Sequence, residues 1–397
     1  MSASLQMGIE RLALAPVQAS GWGRCGLLCN QASVTKDFVP TWTVLRQLLG
    51  PRLVALFGPQ HGFAGTVQDN MIETGHTRHV ATGLEVFSLY SETREPTQVM
   101  LAGLDTLIID LQITGCRIYT WKSTIAGCLR AAKRDGKKIV VLDRPNPVGG
   151  EVLEGRVLDD DAHSFVGQFP IPMRHGLTAA EAARLFNASI GADLEVIPLS
   201  GWQPWSYWCD LGRSWVLTSP NLPTPDSVYV YPGMVMLEGT NISEGRGTSL
   251  PFQYAGAPYI KSGAALIRRI HDLLGQTPGV YLREASFQPT AQKWQGQECG
   301  GLQIHVLDPT KVRSYELTLA LIKACMDLGE GAFDWQRNPY EYEFDTLAIK
   351  LIVGSREVEE HLSPNVFAAK DPFWHAGISD YINLVRPFLL YPRTMRT

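Results

Sequence analysis

Five short apolar runs, at 26–29, 53–57, 106–109, 139–142 and 194–198, contain no regular alternation of polar and apolar side chains. A strand with one wet face alternates, whereas a strand covered on both faces has no need to, so these runs predict a parallel sheet sandwiched between helices. Helical patterns fall between the runs. Within 123–134, Ile125, Cys128, Leu129 and Ala132 share one face, and Gly136 is placed to end the helix. Thr178-Ala-Ala-Glu181 has the form of a capping box opening a helix that continues to about residue 190. Regular alternation of strand and helix predicts a doubly wound α/β fold.

The chain is 397 residues long, more than one hydrophobic core usually supports, so two domains are expected. Between 217 and 258 the texture changes to a polar, Gly- and Pro-rich connection. A loop of that length is usually functional or disordered, and the interspersed Tyr229, Tyr231, Met234, Met236 and Leu237 argue against disorder. Further on, the pattern predicts a helix at 262–274 ending at Gly275, a strand at 303–307, a helix at 315–328, and a mixed α+β remainder. A net charge of −4 gives no reason to expect a nucleic-acid partner. No apolar run approaches the roughly 20 residues that span a bilayer, so no membrane partner is expected. Residues 1–15 lack the features of a secretory signal. The seven cysteines are scattered, and Cys25 and Cys29 have no second close pair with which to build a zinc site. Buried thiols in a reducing, cytoplasmic setting are the expectation.

In doubly wound sheets, ligands sit outside the carboxyl ends of the strands. Three loops begin at such ends and are dense in polar groups: 58–73, with Gln60, His61 and Glu73; 110–119, with Asp110, Gln112, Arg117 and Tyr119; and 143–150, with Asp143, Arg144 and Asn146. Each of Asp110 and Asp143 has two readings, contact with substrate or bracing of the scaffold. The dinucleotide-binding and phosphate-loop glycine patterns are absent, as are Gly-x-Ser-x-Gly and His-Glu-x-x-His, so nucleotide, serine-hydrolase and zincin chemistry have no support. His61 and His175 sit singly beside glycines and read as hydrogen-bonding positioners. No metal and no cofactor are expected.

The loops belong to an ordered series: LFGPQHGF at 56–63, SLY at 88–90, RIYT at 117–120, DRPNP at 143–147, SFVG at 164–167 and HGLT at 175–178. It continues with SPNLPT at 219–224, EGTNISEGRGT at 238–248, ASFQPT at 285–290 and LLY at 389–391. Together these segments resemble the exo-β-N-acetylmuramidase family called NamZ, earlier described as a domain of unknown function, DUF1343. The resemblance implies a Rossmann-like catalytic domain, placed here at 20–228, and a smaller α/β domain at 229–397. It implies release of non-reducing terminal N-acetylmuramic acid from peptidoglycan fragments, as in cell-wall turnover and recycling, with a small carbohydrate or muropeptide as the partner.

Two positions depart from the family pattern. The first loop of the family usually reads Gly-Pro-Glu-His-Gly, and its glutamate is the prime candidate for catalysis; Gln60 stands there in this chain. The second loop usually carries Gln-Asp, where this chain has Gln112-Ile113. An amide cannot donate a proton as a carboxylic acid does, and general acid catalysis contributes about 10²–10⁴ in rate. Glu73, Glu238 and Glu244 are then the candidate replacements, with His61 and Asp110 as further catalytic candidates. Substrate assistance by a 2-acetamido group, or glycan binding without cleavage, are the alternatives. Glu244 is expected to pair with Arg246, which suits a base or an orienting group, whereas Glu238 follows an apolar stretch whose burial would favour an acid. For the lactyl carboxylate of a muramyl group, Arg117, Arg144 and Arg246 are candidates, each with an internal carboxylate as its competing partner. Asn146, Asn221 and Asn241 suit sugar hydroxyls or the acetamido group, and Tyr119, Tyr90 or Trp121 a sugar face.

Overall fold

The computed structural model describes residues 4–69, 71–363, 367–368 and 370–397. In chain order the first nine strands are β1 (Cys25–Leu28), β2 (Leu53–Gly58), β3 (Thr77–Arg78), β4 (Glu85–Ser88), β5 (Thr106–Ile109), β6 (Lys138–Leu142), β7 (Glu154–Val157), β8 (Pro172–Arg174) and β9 (Asp193–Ile197). Seven of them form one sheet in the order β3-β4-β2-β1-β5-β6-β9, and β7 pairs with β8 in a separate ribbon. All neighbours in the large sheet are parallel except the short β3 on β4. The unalternating runs are these strands, and four of the five are buried on both faces: Leu27, Leu56, Phe57, Leu107, Ile108, Ile109, Val140 and Val141 are among the side chains with no exposed surface. The fifth, β9, lies at the sheet edge, and its Leu194, Glu195 and Val196 are only half-buried.

The helices that cover the sheet are α1 (Gly8–Leu14), α2 (Thr41–Leu49), α3 (Gln98–Leu101), α4 (Trp121–Asp135) and α5 (Ala179–Ile190). Gly136, at φ 63°, ends α4 in the left-handed conformation, and Thr178 and Glu181 form the capping box that opens α5. The chain steps outward from β1 to β2 and β4 on one side, then returns to lay β5, β6 and β9 on the other. That reversal at β1 opens a crevice at the carboxyl ends of β2 and β5.

The segment 217–258 differs from its expectation as a polar connection. It contains α6 (Pro225–Met234), which leads into a 3₁₀ turn over Val235–Gly239. Ser227 to Gly239 are all buried. A helix surrounded by protein has no polar stripe, so the 3.6-residue period that marks a surface helix is missing, and Pro232 inside it masks it further. Next come α7 (Gly263–Leu274), which packs on a three-stranded antiparallel sheet of β10 (Tyr254–Ala257), β12 (Cys299–Val306) and β11 (Val280–Phe287), in that spatial order, and α8 (Ser314–Leu328), which packs on α7 and α6. The strand predicted at 303–307 is the end of β12, which starts earlier because Gly300 and Gly301 sit on neighbouring backbone with no side chain to reveal a pattern. All seven cysteines are free thiols; six are buried and Cys209 is exposed. Among the described residues no helix is long and apolar enough to cross a membrane.

Candidate active site

Two of the three strand-end loops reach a common chamber. At the end of β2, the Gly62 N–H donates to the Pro59 carbonyl at 3.0 Å, a tight turn that presents Gln60 and His61. His61 has φ 72°, unusual for a residue with a Cβ, and its Nδ1 lies 2.7 Å from the Val67 carbonyl. The loop after β5 delivers Tyr119 and Thr120, the latter at the start of α4. Facing them across the chamber are Glu238 on the 3₁₀ turn, Arg246, Tyr340 and Glu341. Glu238, Arg246 and Tyr340 also border an outer recess of about 180 Å³, which adds Glu244, Lys293, Asn338 and Met71. His61 links the chamber to a groove of about 700 Å³ walled by 62–67 and 73–81. That groove is larger than the chamber and the recess and mostly apolar; the concentration of charge lies in the smaller spaces beside it.

Arg246 organises the charge. Its Nη2 lies 2.5 Å from Glu238 Oε1 and its Nε 3.2 Å from Glu244 Oε1. Lys293 Nζ lies 2.8 Å from the other oxygen of Glu244, and the Tyr340 hydroxyl donates to Glu238 Oε2 at 2.8 Å. Burial alone would raise the Glu244 carboxyl, but the Lys293 ammonium and the Arg246 guanidinium outweigh it and hold it below the usual glutamate value. Burial likewise opposes the charge on Arg246, and the flanking Glu238 and Glu244 more than restore it. The local sequence dictates this fold-back: Gly245 and Gly247 adopt φ 78° and 76°, and a Cβ on Gly247 would lie 2.5 Å from the Ala291 carbonyl oxygen. Glu-Gly-Arg-Gly is therefore a turn that places a guanidinium between two carboxylates.

Gln60 and Glu341 meet directly: Gln60 Nε2 donates to Glu341 Oε1 at 3.2 Å while its Oε1 accepts from the Thr120 hydroxyl. The Tyr90 hydroxyl donates to Glu341 Oε2 at 2.8 Å. Burial raises the Glu341 carboxyl above its ordinary value; these two donors oppose the shift and neighbouring Glu238 adds to it. Burial also pushes the His61 imidazole down to about 4, so it is neutral at pH 7 and serves as a hydrogen-bonding group.

The remaining sequence-predicted residues lie elsewhere. Asp110 is fully buried and bonds to Arg144 Nε at 2.5 Å, to Arg144 Nη2 at 2.9 Å and to the Thr41 hydroxyl. Asp143 accepts from the Thr178 hydroxyl, the Ala180 N–H and the Tyr391 hydroxyl at 2.9, 2.9 and 2.6 Å, which makes it a brace at the start of α5. Arg117 donates to the carbonyls of Arg156, Ile171, Ile352 and Val353 and ties the strand-end loop to α9 (Ala348–Val353). Asn146 bonds to Leu177 and Val148, and Gln112 to the carbonyls of Ile113 and Pro145. Asn221 is engaged with Gln68, and Asn241 with Ala332 and Tyr259. Glu73 is exposed, 3.3 Å from Arg94, and borders the apolar groove rather than the chamber. Ile113 is core, as is Trp121, so the second departure from the family pattern falls on a side chain packed away from the chamber. Tyr90 approaches through its hydroxyl, not its ring face. The structure thus brings together Gln60, His61, Tyr119, Glu238 and Arg246, with Glu244 in the adjoining recess. Sequence reasoning missed Thr120, Lys293, Tyr340 and Glu341. The Tyr340-Glu-Tyr-Glu343 run was the available signal for the last two, an alternation of aromatic and acidic residues outside any predicted element.

Comparison with known proteins gives the same family along the chain. Profiles described as "Exo-beta-N-acetylmuramidase NamZ, N-terminal" and "Exo-beta-N-acetylmuramidase NamZ, C-terminal" match residues 25–226 and 229–391. A relative from Bacillus subtilis (strain 168), named peptidoglycan beta-N-acetylmuramidase NamZ, is 43% identical over 79% of this chain and 75% of its own. A crystal structure of a DUF1343 family protein from Bacteroides fragilis NCTC 9343 superposes with a TM-score of 0.87 at 30% identity, covering 98% of this chain and 99% of that one. A second DUF1343 structure from the same organism gives a TM-score of 0.74 at 25% identity, with 99% and 100% covered.

Proposed function

The chain belongs to the exo-β-N-acetylmuramidase NamZ family of glycoside hydrolases, and on that premise we propose that its strand-end chamber and outer recess bind and cleave a terminal N-acetylmuramyl unit. The substrate is a muropeptide or peptidoglycan fragment, and the reaction releases N-acetylmuramic acid from the non-reducing end, in cell-wall turnover and recycling. The observation that carries this reading is the meeting of Glu238, Arg246 and Tyr340 at the junction of the two spaces, opposite Gln60 and His61.

In this reading the recess holds the sugar. Arg246 and Lys293 supply positive potential for the lactyl carboxylate, and a planar guanidinium suits it. Glu238, held between Arg246 and the Tyr340 hydroxyl, faces the anomeric carbon as a carboxylate that stabilises developing positive charge. Glu244 orients Arg246 and Lys293, and neutral His61 positions the aglycone side of the bond. Asp110, Asp143, Arg117 and Arg144 are assigned to the scaffold. Seven free thiols suit a reducing compartment, and a cytoplasmic location is proposed on that ground. Turnover of a chromogenic aryl β-N-acetylmuramide tests the reading: release of the aryl group together with free N-acetylmuramic acid is expected, and binding without release would overturn it.

A further inference from the structure

Glu341 lies in no predicted element, yet it combines three features that Glu238, the other carboxyl of the chamber, lacks. It is 4% exposed and lines the chamber together with Glu238 and Arg246. Its backbone is left-handed at φ 46°, and the next residue, Tyr342, is left-handed at φ 71°. Two consecutive residues with side chains in that region cost of order 1–3 kcal/mol each and persist where surrounding structure holds them for a purpose. The clamp is visible: the Arg94 guanidinium lies 4.3 Å from the ring centre of Tyr90 and 4.1 Å from that of Tyr342, so it joins the residue that bonds Glu341 to the residue that follows it. Among the described residues Glu341 has no cation within ion-pairing distance, the Arg94 guanidinium acting on it only from farther off, whereas Glu238 and Glu244 are both bonded to Arg246. Finally, its bonding partner in the first loop is Gln60, the residue that stands where the family usually has an acid.

We propose that Glu341 is the proton donor to the glycosidic oxygen, and that Gln60 and Tyr90 aim its carboxyl. This rests on the glycosidase reading above. As the C1–O bond breaks, its electron pair goes to the glycosidic oxygen and the Glu341 proton bonds to that oxygen, so the aglycone leaves as a neutral alcohol. A water oxygen bonds to C1 in completing the hydrolysis, and the proton it sheds returns the carboxyl to its acid form through solvent. Gln60 remains an amide throughout; it donates one hydrogen bond to Glu341 and accepts one from Thr120. Burial favours the neutral acid that the step needs.

The test compares two substrates. A 2,4-dinitrophenyl β-N-acetylmuramide has a leaving group that departs without a proton, whereas the disaccharide of N-acetylmuramic acid β-linked to N-acetylglucosamine needs one. For Glu341→Gln the expected loss in kcat/KM on the disaccharide is about 10²–10⁴, with less than about ten-fold on the dinitrophenyl substrate. Equal losses on both, or no loss on the disaccharide, would overturn the proposal. Thermal melting establishes that the variant is folded. Glu341→Asp, which keeps a donor on a shorter arm, is the second variant: it should retain more disaccharide activity than Glu341→Gln, and equality between them counts against the proposal. The exchange Gln60→Glu with Glu341→Gln should recover part of the lost disaccharide activity. If the wild-type protein turns over neither substrate, the glycosidase reading falls and this inference with it; if wild type is active and the selective loss is missing, only the inference falls.

Discussion

Asp110–Arg144 and Glu238–Arg246 are both buried carboxylate–guanidinium pairs, each with a closest N–O distance of 2.5 Å, and both stand near the carboxyl end of the sheet. They differ in what surrounds them. Asp110 is also bonded to Thr41, and Arg144 donates to the Val34 carbonyl and approaches the Met7 sulfur, so the pair closes upon the scaffold. The recess beside Arg144 is about 20 Å³, room for about one water, and no carboxyl lines it. Glu238 and Arg246 instead stand between two adjoining spaces, an inner chamber no larger than the recess beside Arg144 and an outer recess of about 180 Å³ that holds a second carboxylate and a lysine. A buried ion pair is costly to assemble and costly to break wherever it sits. What separates a pillar from a reagent is the space beside the pair, not the pair.

The largest expected effect is on the pocket side. Glu238→Gln keeps the shape and removes the charge; kcat/KM on an aryl muramide should fall by about 10²–10⁴, while the protein remains folded by circular dichroism. On the scaffold side, Asp110→Asn leaves Arg144 without its charge partner and should cost about 3–5 kcal/mol in denaturant unfolding, with activity per folded molecule within about three-fold of wild type. If Asp110→Asn abolished turnover in folded protein, the division between the two pairs would break. Arg246→Lys loses the two-pronged contact with Glu238 and Glu244, and KM for a muramyl substrate should rise by about ten-fold, more than for a substrate lacking the lactyl carboxylate.

Smaller effects follow from pH. His61 is depressed to about 4 and the buried His175 to about 3, so both bind protons more weakly folded than unfolded. Their contribution is fully present above the ordinary histidine value near 6.5 and is lost as pH falls through their folded values. Asp143 acts oppositely: burial, opposed by Tyr391, Ala180 and Thr178, lifts it to about 7, so its contribution is present below the ordinary aspartate range and lost as pH rises through 7. Between pH 4 and 7 the two trends partly cancel. Asp143→Asn should therefore make the unfolding free energy climb more steeply over that range, and an unchanged slope would show that Asp143 stays ionised in the fold. The smallest effect is expected for Glu73→Gln: a half-exposed pair with Arg94 contributes at most about 1 kcal/mol, and turnover should stay within two-fold.

The centre of the large sheet was legible because β1, β2, β5 and β6 are buried on both faces and therefore read as unbroken apolar runs, whereas the exposed β3 and the half-exposed β4 at its edge gave no such run. The caps of α4 and α5 were legible because Gly136, Thr178 and Glu181 act locally. Helix α6 was not, since burial all round removes the polar face that marks a helix in sequence. The strand-end loops were recognisable as a place, but Asp110 and Asp143 were ambiguous, because an aspartate that braces Arg144 or the start of α5 has the same sequence signature as one that touches substrate. Glu341 was hidden for a different reason. It reaches Gln60 through a turn of left-handed residues with side chains, a conformation stabilised by Arg94, Tyr90 and Tyr342 at long sequence separation rather than by any glycine.

The most direct test of the distinction between the two pairs is a crystal structure of the protein soaked with N-acetylmuramic acid. The sugar is expected in the outer recess, with its lactyl carboxylate on the Arg246–Lys293 side and its anomeric carbon toward Glu238. Density for the sugar against Arg144 and Gln112, or in the apolar groove with the recess empty, would contradict that placement.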